Sequence, residues 1–184
     1  MNVKPLGISD VLLLEPRVFG DERGFFYESF NAKQFKEVVK KEIVFVQDNC
    51  SYSKQGVLRG LHYQVERPQA KLVSVVSGEV FDVAVDIRPG SPTYGSWVGE
   101  VLSSDNKRQL WIPEGFAHGY LVLSDYAIFQ YKVTDYWYPE LERCLRFDDE
   151  HLAIDWPEVS HHETKLPIQF YLSDKDRNGS SLNN

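Results

Sequence analysis

The feature that most constrains the fold of this chain is the recurrence of short strand-like runs, separated by turn residues such as Ser77-Gly78 and Pro89-Gly90. Within Val80–Ile87 the side chains alternate with a period of two, as expected for a strand whose two faces have different environments. Many short strands joined by turns are typical of an antiparallel β-sandwich or barrel. The predicted strands are Val11–Leu14, Gly24–Phe30, Val44–Tyr52, Val57–Gln64, Leu72–Val76, Val80–Ile87, Trp97–Leu102, Arg108–Ile112, Gly119–Leu123 and Ala127–Thr134.

One helix is predicted to begin after Asn31. Asn31 is a suitable N-cap, Gln34 stands three residues later, and an apolar stripe begins at Phe35. A shorter helical turn is expected near residues 149–153. The sequence contains no repeat or linker, so we predict a single domain over residues 1–184 that ends in a polar tail at 179–184.

Composition excludes several classes of protein. The formal net charge of −7 argues against a nucleic-acid partner, because binding to phosphate backbones needs a basic face. The chain has neither a signal-peptide pattern nor an apolar run of transmembrane length, which predicts a cytoplasmic protein without a membrane partner. Its two cysteines, Cys50 and Cys144, lie far apart in sequence, which favours free thiols and a reducing compartment.

Polar residues interrupt two strands that are expected to be buried. These are Gln47-Asp48-Asn49 and the run that contains Arg59, His62 and Gln64. Burying such groups costs free energy unless they are paired or used in function. A period of two places His62 and Gln64 on one face and Arg59 on the other, so Arg59 shares their pocket only if the strand bulges, for example at Gly60. A hydrogen-bonded core histidine is the alternative interpretation of His62.

A Pro-x-Gly-x-x-His motif ends at His118 and resembles the second motif of the cupin barrels, whose histidine usually binds a metal. The first cupin motif has a second histidine two positions after the first, but Gln64 follows His62 at that place. Stable divalent sites need three or four converging ligands, and glutamine is a poor substitute. His161 and His162 stand in a polar C-terminal region. We therefore predict a cupin-like barrel without a metal.

A more specific resemblance extends from about Val11 through Asp176. It rests on the stretches Phe19–Phe26, Gln47–Asn49, Val57–His62, Gly78–Asp86 and Trp111–Gly119. In these stretches the chain is similar to the dTDP-4-dehydrorhamnose 3,5-epimerase family. The resemblance implies a mainly β, cupin-like antiparallel β-barrel (jelly roll) with a few short helices, and no cofactor. It also implies epimerisation of dTDP-4-keto-6-deoxy-D-glucose at C3 and C5 to dTDP-4-keto-L-rhamnose, in dTDP-L-rhamnose biosynthesis.

The family's reaction needs a base, an acid on the opposite side of the sugar ring, and positive charge for an enolate oxygen. By resemblance His62 is the base and Asp176 its carboxylate partner, although Asp174 stands close enough to be an alternative. Tyr131 matches the acid, and Lys71 matches the lysine beside the enolate. On residue type alone, Tyr131 is a packed aromatic residue, Lys71 a strand-end lysine and Asp174–Asp176 a solvated loop.

The resemblance also implies residues that contact the rest of the substrate. Arg59 and Arg23 match positions at the diphosphate, for which guanidinium groups are well suited. It further implies a homodimer in which the Arg23–Glu28 strand reaches the partner's site. Other matches to substrate contacts are Glu28, Gln47, Asp48, Asn49, His118, Glu142 and Lys175.

Three alternative functions remain open on the sequence. A metal-dependent cupin enzyme is disfavoured by the glutamine at position 64. A non-catalytic nucleotide-sugar binding module is disfavoured because the acid–base residues are all present. A related epimerase that inverts only C3 or only C5 would have the same base, and the sequence does not distinguish it.

Overall fold

The fold is formed mainly by short strands. A computed structural model describes residues 1–160 and 167–183, so His161 and His162 lie outside the described residues. Within these ranges the helices are α1 (Ala32–Val39), α2 (Asp174–Arg177) and a 3₁₀ turn at Pro139–Leu141. The strands are β1 (Asn2–Pro5), β2 (Leu12–Glu15), β3 (Val18–Asp21), β4 (Gly24–Tyr27), β5 (Gln47–Lys54), β6 (Leu58–Gln64), β7 (Lys71–Ser77), β8 (Glu79–Asp86), β9 (Trp97–Ser103), β10 (Gln109–Ile112), β11 (Phe116–Val122), β12 (Tyr126–Val133) and β13 (Glu142–Cys144).

These strands form two large antiparallel sheets and a separate hairpin. One sheet has the order β1-β2-β10-β7-β12-β5, the other has the order β13-β6-β11-β8-β9, and β3 pairs with β4. The main core lies between the sheets and includes Val73 and Phe129 from the first and Val80 and Leu102 from the second. The predicted mainly β, jelly-roll fold is confirmed, with two facing sheets in place of a closed barrel.

Strand β8 shows why a period of two was visible in the sequence. Val80 and Ala84 face the core between the sheets. Val83 and Val85 face the other way and pack in a second cluster that contains Leu145. Both faces of β8 are therefore buried, one by the opposite sheet and the other by the C-terminal part of the chain.

Helix α1 lies over the outer face of the six-stranded sheet. Oδ1 of Asn31 accepts a hydrogen bond from the backbone N–H of Gln34 at 3.2 Å, which confirms the predicted N-cap. The buried ring of Phe35 packs edge-on against Trp111, with 5.1 Å between ring centroids. The side chain of Gln34 bonds to Glu28 instead of closing a capping box.

The expected turn near residues 149–153 is present as a single turn. The backbone N–H of Ala153 donates to the carbonyl of Asp149, and the Asp149 carboxylate accepts from the N–H groups of His151 and Leu152. Of the helices in the described part of the chain, none is long and apolar enough to span a bilayer.

Candidate active site

A cavity of about 280 Å³ opens between the two sheets. Inward-facing residues of β5, β6, β7, β11 and β12 form most of its wall, and α2 and β13 contribute at one side. The lining residues are Gln47, Asn49, Ser51, Arg59, His62, Tyr63, Gln64, Gln69, Lys71, His118, Tyr120, Phe129, Tyr131, Trp137, Glu142 and Lys175.

A β-bulge in β6 brings Arg59 and His62 into this cavity together. His62 stands opposite His118 of β11, whereas Arg59 stands opposite Tyr120, so β6 has one more residue than β11 between these pairs. Gly60 has a φ of 117°, and a Cβ there would lie 2.6 Å from backbone atoms of β11. The bulge that the sequence required for a shared pocket is therefore present, and it depends on glycine.

His62 is paired with Asp176. Nε2 of His62 lies 2.6 Å from Oδ1 of Asp176, although 114 residues separate the two in sequence. The N–H of Gly60 donates to the same oxygen, and the Ser173 hydroxyl donates to Oδ2 at 2.6 Å. Asp174 is exposed at the start of α2, so Asp176 is the carboxylate that contacts His62.

The surroundings of Asp176 keep it ionised. Its burial opposes ionisation, but hydrogen bonds from His62, Ser173 and Gly60 outweigh that effect and lower its pKa to about 2. A carboxylate that accepts from Nε2 fixes the histidine tautomer and leaves Nδ1 as the basic nitrogen. The pair thus has the chemistry of a general base supported by an anion.

Lys71 points into the cavity from β7, on the same inward face as Val73 and Val75. It is 8% exposed, and burial lowers its pKa to about 8, with the carboxylates of Asp82 and Glu142 opposing that effect. The alternative interpretation of Lys71 as a strand-end lysine in solvent is therefore wrong.

Next to Lys71 lies a second histidine–carboxylate pair. Nε2 of His118 is 2.9 Å from Oδ2 of Asp82, and both residues are buried. Burial lowers the pKa of His118 and raises that of Asp82. Oδ1 of Asp82 has no hydrogen-bond partner among the described residues.

Tyr131 lines the cavity from β12, in the sheet opposite to the one that carries His62. Its ring packs against Phe129, and burial raises the pKa of its hydroxyl. A neutral hydroxyl therefore faces the cavity from the wall opposite the basic histidine.

Further predicted contacts surround the same cavity. Nε of Arg59 donates to the Ser53 hydroxyl at 3.0 Å, and the guanidinium reaches the cavity wall. The amides of Gln47 and Asn49 bond to each other at 2.8 Å. Glu142 of β13 and Lys175 of α2 form an ion pair at 2.8 Å.

Three predicted contact residues do not reach the cavity within this chain. Asp48 lies on the other face of β5, because side chains alternate along a strand, and it pairs with Lys132 at 2.8 Å. Arg23 is exposed at the β3–β4 turn, where it forms an ion pair with Asp21. Glu28 is exposed and accepts hydrogen bonds from the side chains of Asn31 and Gln34.

The comparisons with known proteins show the family of this chain. A sequence profile described as dTDP-4-dehydrorhamnose 3,5-epimerase matches residues 5–184. The chain belongs to this epimerase family. The dTDP-4-dehydrorhamnose 3,5-epimerase of Pseudomonas aeruginosa is 58% identical over 182 residues, which cover 99% of this chain and 96% of that protein.

Solved structures of epimerases share the fold. A Legionella pneumophila dTDP-6-deoxy-D-glucose 3,5-epimerase, in complex with dTDP-4-keto-L-rhamnose, is 55% identical with a TM-score of 0.92, covering 99% of this chain and 93% of that chain. A 3'-monoepimerase from Streptomyces bikiniensis, in complex with dTDP-quinovose, is 32% identical with a TM-score of 0.87, covering 97% and 87%.

Sequence reasoning missed several residues of this candidate site. Asp82 had a usable signal, since it is a carboxylate on the same strand face as the core residues Val80 and Ala84. Ser173 also had one, because Ser-x-x-Asp is a helix N-cap pattern that places Ser173 beside Asp176. Trp137 follows β12 at the cavity edge and had no signal beyond its residue type.

Proposed function

We propose that this chain converts dTDP-4-keto-6-deoxy-D-glucose to dTDP-4-keto-L-rhamnose by inverting C3 and C5, a step of dTDP-L-rhamnose biosynthesis. The observation that carries the proposal is the placement of a histidine–aspartate pair and a tyrosine on opposite walls of one cavity, in a member of this family. Proton NMR of the purified protein with this substrate tests it. An unchanged sugar spectrum would contradict the proposal.

In this mechanism His62 removes the proton from C3 or C5. The C4 ketone makes both protons acidic, because the resulting carbanion is stabilised as an enolate. Nδ1 accepts the proton, and the Asp176 carboxylate stabilises the imidazolium that forms.

Positive charge for the enolate oxygen comes from Lys71, with His118 as a neighbouring polar contact to the substrate. The Lys71 side chain is buried in the cavity wall, where a fixed charge stabilises a developing anion more strongly than in water. The Asp82 carboxylate orients His118 and opposes the loss of the Lys71 proton.

Tyr131 returns a proton from the opposite side of the ring. A proton removed on one face and replaced on the other inverts the carbon, which requires two groups on opposing walls. The positions of His62 and Tyr131 in different sheets support this division of roles.

Activity is expected to decline as the pH rises through about 8. Burial lowers the pKa of Lys71 to about 8, so the charged form predominates below that pH and disappears above it. The rate–pH profile measures this.

Lys71→Arg should keep its activity at higher pH, and Lys71→Met should lose about 10²–10³-fold in rate. A matched control is Lys132→Met, which removes a lysine paired with Asp48 outside the cavity. If the rate of Lys71→Arg declines above pH 8 in the same way as the rate of the unmodified protein, the role of Lys71 is contradicted.

Catalysis is proposed to need neither metal nor cofactor. Both ends of the Gln64 amide are used to hold backbone: Nε2 donates to the carbonyls of Arg67 and Tyr136, and Oε1 accepts from the N–H of Tyr138. This structural use supports the interpretation that the residue does not ligate a metal.

Treatment with a strong chelator should therefore leave the rate unchanged. The enzyme is dialysed against the chelator, then assayed with and without added divalent ions. Activity that vanishes and returns with one specific ion would show a metal-dependent cupin enzyme instead.

We further propose a homodimer in which the β3–β4 hairpin covers the partner's cavity. The hairpin exposes Phe19, Phe25 and Phe26 to solvent in the isolated chain, and such apolar surface favours burial in an interface. It would carry Arg23 and Glu28 to the nucleotide end of the substrate.

Free thiols at Cys50 and Cys144 support a cytoplasmic location.

Replacing Arg59 or Arg23 with alanine should weaken binding of dTDP by about tenfold to a hundredfold, since a charge-assisted bond to phosphate contributes about 1.5–3 kcal/mol. Calorimetric titration with dTDP measures this. Arg143→Ala is the matched control, because Arg143 bonds to backbone carbonyls outside the cavity.

Mixing the two variants tests whether Arg23 acts on the partner's site. In a mixed dimer one site would receive both intact arginines and the other site neither. After random exchange of subunits, about a quarter of all sites should bind dTDP normally. No restored sites would mean that Arg23 does not act across the interface.

A single-centre epimerase is the alternative function. The likeness to a 3'-monoepimerase supports it, although at lower identity than the likeness to the 3,5-epimerases. Deuterium exchange at each carbon distinguishes the two.

A further inference from the structure

Three potential metal ligands of different types meet at the His62–Asp176 pair. A ring nitrogen of His62, Sγ of Cys144 and a carboxylate oxygen of Asp176 all lie within 4.8 Å of one another. Imidazole, thiolate and carboxylate are the ligands that Zn²⁺ uses in proteins. We propose that these residues bind a thiophilic divalent cation such as Zn²⁺, and that the ion inhibits the enzyme by taking the place of the His62–Asp176 contact.

Two of the three distances between the ligand atoms need little adjustment for a tetrahedral ion, and the third, between the His62 ring nitrogen and Sγ of Cys144, is no longer than 4.8 Å. Oδ1 of Asp176 lies 2.6 Å from Nε2 of His62 and 3.9 Å from Sγ of Cys144. Bonds of about 2.0–2.3 Å in a tetrahedron require about 3.4 Å between nitrogen and oxygen and about 3.6 Å between sulfur and oxygen. The first contact therefore opens by under ~1 Å and the second shortens slightly.

Hydrogen bonds fix the carboxylate, and a groove gives access to the site. The Ser173 hydroxyl donates to Oδ2 of Asp176 and the Gly60 N–H donates to Oδ1, as the groups that orient metal ligands do. Cys144 lines a groove on the protein surface, through which an ion and a water ligand can enter.

Binding would change the protonation of two groups. Cys144 binds as a thiolate, and its proton leaves to solvent. Nε2 of His62 uses its lone pair for the metal, so the ring proton moves to Nδ1. Nδ1 then has no lone pair to accept a substrate proton. The inhibition rests on the proposed role of His62, whereas the binding does not.

The test uses Cys50→Ala as background, because Cys50 is an exposed thiol that would bind soft cations by itself. Cys144→Ala and Cys144→Ser in that background are the matched variants. Cd²⁺ reports thiolate coordination through its ultraviolet charge-transfer band, and competition with a chromophoric chelator measures Zn²⁺ affinity. Inhibition by Zn²⁺ is expressed relative to each variant's own metal-free rate.

We expect about one Cd²⁺ per chain with a thiolate band, and no such band in either Cys144 variant. Zn²⁺ affinity should fall by at least about a hundredfold in the variants. Loss of a group that only orients a metal ligand already lowers affinity by up to about a hundredfold, and Cys144 would be a ligand itself. Inhibition should weaken by the same factor. Absence of the band, or equal affinity in all three proteins, overturns the site. If the ion binds the Cys144 thiolate and the enzyme is not inhibited, the proposal that the ion blocks His62 is overturned. A protein that binds the ion yet has no metal-free activity contradicts the proposed function and leaves the site intact.

Discussion

His62→Asn is expected to lower the epimerisation rate by at least about 10⁴-fold, the upper end of what a general base contributes. Asparagine keeps a polar side chain of similar size but has no basic nitrogen, so neither C3 nor C5 can lose its proton. The measurement is the initial rate of product formation by proton NMR.

The matched control is His151→Asn, since the His151 side chain is 63% exposed and lies outside the cavity lining. Binding of dTDP, measured on both variants, shows that the site remains folded. If His62→Asn keeps a rate within tenfold of the original, another group is the base.

Tyr131→Phe is expected to separate proton removal from inversion. Phenylalanine keeps the packing against Phe129 but lacks the hydroxyl. His62 can still form the enolate and return a deuteron to the same face in deuterated water. The variant should therefore incorporate deuterium without net inversion, and product formation should fall by about 10²–10⁴-fold.

Tyr126→Phe is the control on the same strand, because Tyr126 is exposed and stacks on Tyr52 away from the cavity. Inversion of both carbons at the original rate by Tyr131→Phe would make this residue a packed aromatic and place the acid elsewhere.

Local patterns were sufficient to predict most of the secondary structure. Alternation identified β8, and the Asn31 cap identified α1, because both depend on neighbouring residues alone. The strands β1, β3 and β13 and the four-residue helix α2 were missed. β13 has three residues and is defined by its pairing with β6, which local sequence does not show. The single domain over residues 1–184 stays a prediction.

The site depended more on long-range contacts. Residue types indicated His62, but its contact with Asp176 joins positions 114 residues apart, and only folding decides between Asp174 and Asp176. Arg59 was ambiguous because the period of two fails at the Gly60 bulge. Asp48 shows the reverse: it was predicted to contact the substrate, but alternation along β5 turns its side chain away from the face of Gln47 and Asn49, and it pairs with Lys132.

The most direct test of the account is the reaction of the unmodified protein with dTDP-4-keto-6-deoxy-D-glucose in deuterated water, followed by proton NMR. A base that works on both sides of the C4 ketone should replace the protons at C3 and C5 with deuterium and yield dTDP-4-keto-L-rhamnose. Exchange at only one carbon would identify a single-centre epimerase. The loss of neither proton would contradict the enolate mechanism and the role of His62.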